Sequence, residues 1–323
     1  MTQELEKTCA LFISNIETFR RNFAWDGEAF HVLASAVLTS YGIEADREQL
    51  KSCEAVLKER TGIMSPLRGH LRLPTLCEMA VSDDASEYLD NVDRAFKLMK
   101  KDRFTAGARK YFASVVLASE AAVKDDLLIL TDSTATIYSS MSFAGSDDTA
   151  GYGFMTAAGI AAEHYRDKKE RNDHSWTLNS LIRDAKDYAA LLEEKFGASP
   201  QAELLAYVLS SGRDSTMDKC RKLIDIADAI SGGNAEFPSG DALPAAGPLA
   251  LIDMDAEAIA AEYEEAATYL KSAKKNVFNK SACSQPMYAA LMLEAAYSED
   301  RAGLRAAESA VLENAMTASL YVY

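Results

Sequence analysis

No proline stands between Pro74 and Pro200. An interior proline removes a helix hydrogen bond and clashes with the preceding turn, so this long stretch is free to be helical throughout. The seven prolines of the chain fall where helices start or loops run. Ser199-Pro200 reads as an N-cap followed by a first-turn proline, and Pro238, Pro244 and Pro248 share one Gly-rich stretch. Prolines here are expected to be punctuation between helices.

Between these marks, apolar residues return at three- and four-residue spacing, as in Leu89, Val92, Phe96 and Met99, which places them on one helix face. Alternation of period two is nearly absent. The most strand-like run, Leu127 to Leu130, continues through Thr134, Ile137, Tyr138 and Met141 at helical spacing and predicts a helix. The fold class is therefore all-α.

One pattern returns along the chain: a long amphipathic helix, a Phe, a short polar turn, and an Ala-rich helix that closes near Leu-x-Ser. Its copies run from Phe23 to Ser40, Phe104 to Ser119, Phe196 to Ser210 and, more loosely, Phe278 to Ser298. A spacing of about 80 to 90 residues exceeds that of common two-helix repeats, so each unit holds about four helices. The expected architecture is a helical-repeat array, an α/α superhelix of solenoid type with about fifteen helices. A closed α/α toroid is the alternative. As a single domain, its approximate units are 1–70, 71–152, 153–247 and 248–323. Gly- or Pro-rich loops at 61–70, 143–153 and 231–247 would share one edge of such a stack, where binding residues gather.

Composition sets limits on function. At 323 residues the chain is at the upper end of what one core organises, and 48% hydrophobic residues supply ample core. A formal charge of −15 argues against nucleic acid or anionic membranes as partners, because counterion release needs clustered Lys and Arg. The basic runs Arg20-Arg21 and Arg166 to Arg171 are short, and the second is broken by Asp167 and Glu170. In MTQELEKTCALFISN, acidic residues precede the few apolar ones, so no signal peptide is expected. No segment approaches the roughly 20 apolar residues of a membrane span. Five irregularly spaced cysteines without a Cys-x-x-Cys pair fit a reducing, cytoplasmic location, each as a small buried hydrophobe.

Ser65-Pro66-Leu67-Arg68-Gly69, following the helix end Lys58-Glu59-Arg60-Thr61-Gly62, and Tyr138 to Met141, leading to Ser146-Asp147-Asp148 and an Ala-rich helix, carry a resemblance. With these segments the chain resembles, over essentially its whole length, an uncharacterised bacterial family of all-helical proteins catalogued only as a domain of unknown function. That family carries a His and a Leu-Thr where this chain reads Met141-Ser142-Phe143-Ala144-Gly145, which puts any role resting on that His in question. The resemblance implies a helical bacterial cytoplasmic protein and adds nothing on mechanism.

Four residues are candidates for a ligand site. Asp147 and Asp148, adjacent carboxylates in a Gly-flanked loop, could hold a hard cation; the competing reading is a helix N-cap. The Asp-Asp-x-x-Asp magnesium spacing fails because position 151 is Gly. Arg68, set between Pro66-Leu67 and Gly69, could with His70 clamp an anion bidentately; alternatively it bonds the carbonyls of a neighbouring helix end. Ser82-Asp83-Asp84 and Asp253-Met254-Asp255 read as helix caps. His31, His70, His164 and His174 include no His-x-x-x-His pair for zinc, and no nucleophile elbow or phosphate loop is present. No metal or cofactor is expected. Aromatics such as Trp25, Phe30, Tyr111 and Phe112 read as core. The first function expected is a non-enzymatic binding or scaffold protein that uses a concave face or the loop edge for a peptide or protein partner. The alternative is a metal-assisted hydrolase or small-anion-binding enzyme at that edge.

Overall fold

The computed structural model describes the chain except residues 70, 102–106, 122–123, 143–149, 170–171, 173–175, 212–216, 233–241, 274–284, 299–303 and 305–323. Among the described residues there are fourteen α-helices and no strand. In chain order they open with α1 (Gln3–Asn22), α2 (Glu28–Ser40), α3 (Arg47–Arg60), α4 (Arg72–Val81) and α5 (Ala85–Lys101). Next come α6 (Gly107–Glu120), α7 (Lys124–Ser140), α8 (Ala150–Lys169), α9 (Leu178–Phe196) and α10 (Pro200–Ser210). The last four are α11 (Met217–Gly232), α12 (Ala242–Leu249), α13 (Ala256–Ser272) and α14 (Gln285–Tyr297). A short 3-10 turn, Pro66–Arg68, precedes α4. None of the described helices is long and apolar enough to cross a membrane.

Two kinds of helix alternate, for a reason visible in their burial. In α1 the buried apolar side chains Leu5, Cys9, Phe12, Ile16 and Phe19 form one stripe at spacings of four and three, the pattern of a helix wet on its other side. In α2 every residue from His31 to Thr39 is buried. The same contrast separates α9, with its stripe of Leu181, Ala185, Tyr188 and Leu192, from α10, buried continuously from Leu205 to Ser210. Each large apolar side chain taken fully from water stabilises the fold by about 1.5–3 kcal/mol. Hydroxyls inside the buried helices bond back to their own backbone: Ser35 to His31 O at 2.7 Å, Thr134 to Leu130 O at 2.8 Å and Ser114 to Lys110 O at 2.6 Å. This satisfies them without a partner side chain.

The chain divides into two compact units, residues 48–215 and residues 1–47 together with 216–323. Within 48–215, α5, α7 and α9 pack side by side as one layer, and α4, α6, α8 and α10 pack in sequence as a second. Each of α5, α7 and α9 also packs on the helix that follows it. The core where α7, α8, α9 and α10 meet contains Ile137, Ala157, Ala161, Trp176, Leu181 and Tyr207. Within the other unit α1, α13 and α11 form one layer and α2, α14 and α12 the other. There Phe12 of α1 meets Tyr288 of α14 with ring centroids 5.8 Å apart. Fully buried Asn15 donates to Thr39 Oγ1 and Ile43 O and accepts from Ala45 N at 2.8 Å, tying α1 to the chain beyond α2.

Several local expectations meet the coordinates directly. Leu127 to Leu130 lie inside α7. Ser199 caps α10, its hydroxyl accepting from Ala202 N at 3.1 Å with Pro200 in the first turn. Asp255 caps α13 and Asp84 caps α5 through backbone N–H groups. Phe23 is the C-cap residue of α1 and Phe196 closes α9, while Phe104 and Phe278 lie outside the described residues. Two expectations are corrected. Pro248 is inside α12 rather than between helices; lacking an N–H, it leaves the Pro244 carbonyl one turn back without that helix bond, and α12 ends one residue later. Trp25 is not core: it is 100% exposed, because it sits on the turn between α1 and α2, where helical spacing no longer directs a side chain inward. Phe112 is buried.

Candidate functional site

The segment between α3 and α4 is fixed at both ends. Ser65 caps the 3-10 turn, its hydroxyl accepting from Leu67 N at 3.3 Å, and Ser65 N donates to Gly62 O at 3.0 Å. Arg68 turns back to the C-terminal end of α3. Its Nε donates to Thr61 Oγ1 at 3.0 Å, and one terminal nitrogen donates to Lys58 O and Thr61 O. These carbonyls are the acceptors that a helix end leaves unpaired, so the guanidinium serves the helix terminus, the second of its two sequence readings. His70, Asp147 and Asp148 lie outside the described residues, as do loop residues 143–149 and 233–241.

Held in this way, the segment presents two large apolar side chains to water: Ile63 is 84% and Met64 94% exposed. A groove of about 450 Å³ opens beside them. One wall is made by Thr61, Gly62 and Met64 to Leu67, and the other is α5, with Leu89 and Val92 at its base and Asp90 and Asp93 above. Tyr111 of α6 also lines it, stacked on Phe96 at 3.9 Å between centroids and 14° between planes. Arg60 lines the groove as well, donating to Ser86 Oγ at 2.7 Å and pairing with Asp90, while Asp93 pairs with Lys97. Both carboxylates stay more than half exposed. At this volume the groove is the size of a ligand site.

A second polar cluster lies near the end of α8. Asp167, almost completely buried, accepts from Trp176 Nε1 at 2.9 Å. His164 meets the Trp176 ring edge-on at 4.6 Å, and its Nε2 is buried with no hydrogen-bond partner. Burial, reinforced by the Lys168 charge, lowers the His164 pKa to about 4, against the opposing pull of Asp167 and the Trp176 backbone. Lys169 Nζ donates to Asp126 Oδ2 at 2.6 Å and also bonds Tyr165 Oη. Those bonds raise the Lys169 pKa, with Asp126 the larger cause. Apart from His164 Nε2, the polar groups of this cluster bond across α7, α8 and Trp176 and hold them together.

Burial pushes the Cys9 and Cys220 thiols up to about 12 and raises Cys53 as well, which suppresses thiolate. Among the described residues no group of three or more His, Cys, Asp or Glu could hold a metal ion. The groove residues Met64, Asp90 and Asp93, and Ile63 next to Met64 in the chain, are not among the residues singled out individually in the sequence. A signal was present for Ile63 and Met64: apolar side chains in a Gly-, Ser- and Pro-bounded turn have no helix face on which to be buried.

No curated protein and no solved structure matches the chain. The family match that exists starts within α1 and ends within α8, so it spans parts of both compact units and less of the chain than the resemblance implied. Over that stretch the resemblance holds: residues 15–162 match the model of a family described as protein of unknown function, DUF4003.

Proposed function

We propose that the chain is a non-enzymatic binding module of helical-repeat type, taking a peptide segment of a partner protein in the groove beside residues 61–67. One observation carries the reading: Ile63 and Met64 stand 84% and 94% exposed on a segment that Ser65 and Arg68 hold in place. Loose loops often expose apolar side chains; an anchored one that does so beside a groove has the form of a binding rim. The repeat part of the reading is supported by the alternation, in each unit, of a striped helix and a continuously buried one. Among the described residues four cysteines are free and buried, which supports a reducing, cytoplasmic location.

The test is selection of a phage-displayed library of 12-residue peptides against the full chain, with rebinding to the double variant Ile63→Asp/Met64→Asp. Both positions face solvent, so the variant should keep its circular dichroism spectrum and melting temperature. Enriched peptides that bind the parent at least tenfold more tightly than the variant support the groove. Failure to enrich any sequence, or equal binding to both proteins, overturns it.

A further inference from the structure

We infer that the groove takes a peptide segment that sets a basic side chain, arginine or lysine, beside an apolar one; this rests on the binding reading above and specifies its partner. The argument starts from α5. Asp90 and Asp93 are three residues apart, so one helix face presents both carboxylates to the groove. Leu89 and Val92, 5% and 1% exposed, form the apolar base from which those carboxylates rise.

The carboxylates are only lightly engaged. Their partners, Arg60 and Lys97, meet them at the surface with both carboxylate side chains more than half exposed, and exposed ion pairs contribute little to stability. An incoming cation can therefore replace or join them at small cost. Among the described residues, Asp90 shares the Arg60 guanidinium with Ser86 Oγ, and Asp93 has only the exposed ammonium of Lys97. The chain as a whole carries −15, so the long-range field draws a cationic segment in and repels an acidic one.

The apolar half of the match lies at the rim. Met64 at the groove, with Ile63 next to it in the chain, covers an apolar side chain of the segment, and methionine adapts its shape to what it touches. Tyr111 supplies a ring against which an arginine can rest. Alternation of a charged wall and an apolar rim across one groove specifies a segment with both chemistries in adjacent positions, not a uniformly basic tail.

The experiment uses the peptides enriched by the selection described above, in synthetic form, and their counterparts with each Arg or Lys replaced by Gln. Affinities are measured by fluorescence anisotropy against the full chain and against Asp90→Asn/Asp93→Asn. The expected result is at least a tenfold loss on either change, no further loss when both are combined, and weakening as salt rises from about 50 to 300 mM, near the range where screening lengths fall below 10 Å. Peptides that require Ile63 and Met64 yet bind equally well as Gln counterparts, or equally well to the Asn variant, overturn the charge inference while leaving the groove as a binding site. Absence of any enriched peptide overturns both.

Discussion

His164 offers the sharpest test of the packing in residues 48–215. Its imidazole is 7% exposed, lies edge-on to Trp176, and has its pKa lowered from 6.5 to about 4. The unfolded chain takes up this proton near 6.5 and the folded chain only near 4, so between those values the unfolded state holds more protons. Stability therefore rises with pH across the window. The contribution is complete above 6.5 and is lost progressively as the pH falls toward 4. The gap corresponds to about 3 kcal/mol in total, of which about 2 kcal/mol is gone by about pH 5. The comparison is between Trp25→Phe and Trp25→Phe/His164→Phe, unfolded in urea from pH 7.5 to 5. With Trp25 removed, fluorescence reports Trp176 alone, the other of the chain's two tryptophans. Titration of surface carboxylates is common to both proteins and cancels in the difference. The parent should lose about 2 kcal/mol relative to the His164 variant over this range. Parallel curves, or an NMR titration of His164 centred near 6.5, would refute the burial argument.

Four further outcomes follow from the coordinates. Arg68→Met should lower stability by about 1–2 kcal/mol through loss of the bonds to Lys58 O, Thr61 O and Thr61 Oγ1, and Arg68→Lys should recover little because it lacks the planar fork; thermal melts read both. Asp255→Ala should cost about 1 kcal/mol, and Asp255→Asn much less, since the cap accepts Ala258 N at 2.7 Å; urea midpoints show the order. Cys9 and Cys220, with thiols pushed up to about 12, should resist iodoacetamide in the folded protein at mildly alkaline pH and react once it unfolds, as peptide mass spectrometry will report. Ala161→Leu, at a fully buried position of α8 packed among Ile137, Trp176 and Tyr207, should destabilise by about 1–3 kcal/mol through overpacking, visible as a lower melting temperature.

Much of the local structure was legible because helices write themselves locally. The caps at Ser199-Pro200 and Asp255 and the helical spacing from Leu127 to Met141 are satisfied within a few residues of chain, and each appears where its side chains imply. Arg68 was legible only as a choice between two roles, because an arginine's reach of several bonds leaves its acceptor to the fold. Trp25 was misread since a turn has no periodic face. The groove was invisible for a different reason: Met64 of one segment, Asp93 of α5 and Tyr111 of α6 are brought together by packing, and nothing in their spacing records it. The grouping of α1 and α2 with α11 to α14 likewise leaves no trace in a linear pattern.

That grouping has a kinetic consequence. Residues 48–215 form a continuous stretch, so every helix they pack against within their unit has been made by the time Ser215 is. Helices α1 and α2 are made first, yet α14, on which both pack, begins at Gln285. At a synthesis rate of roughly 5–20 residues per second, the apolar stripe of α1 and the continuously buried surface of α2 wait about 10 to 50 s for that partner. During that interval their apolar surface lacks its cover from α14, and a ribosome stalled after residue 215 would carry one unit with all its own residues and two helices without the rest of their layers.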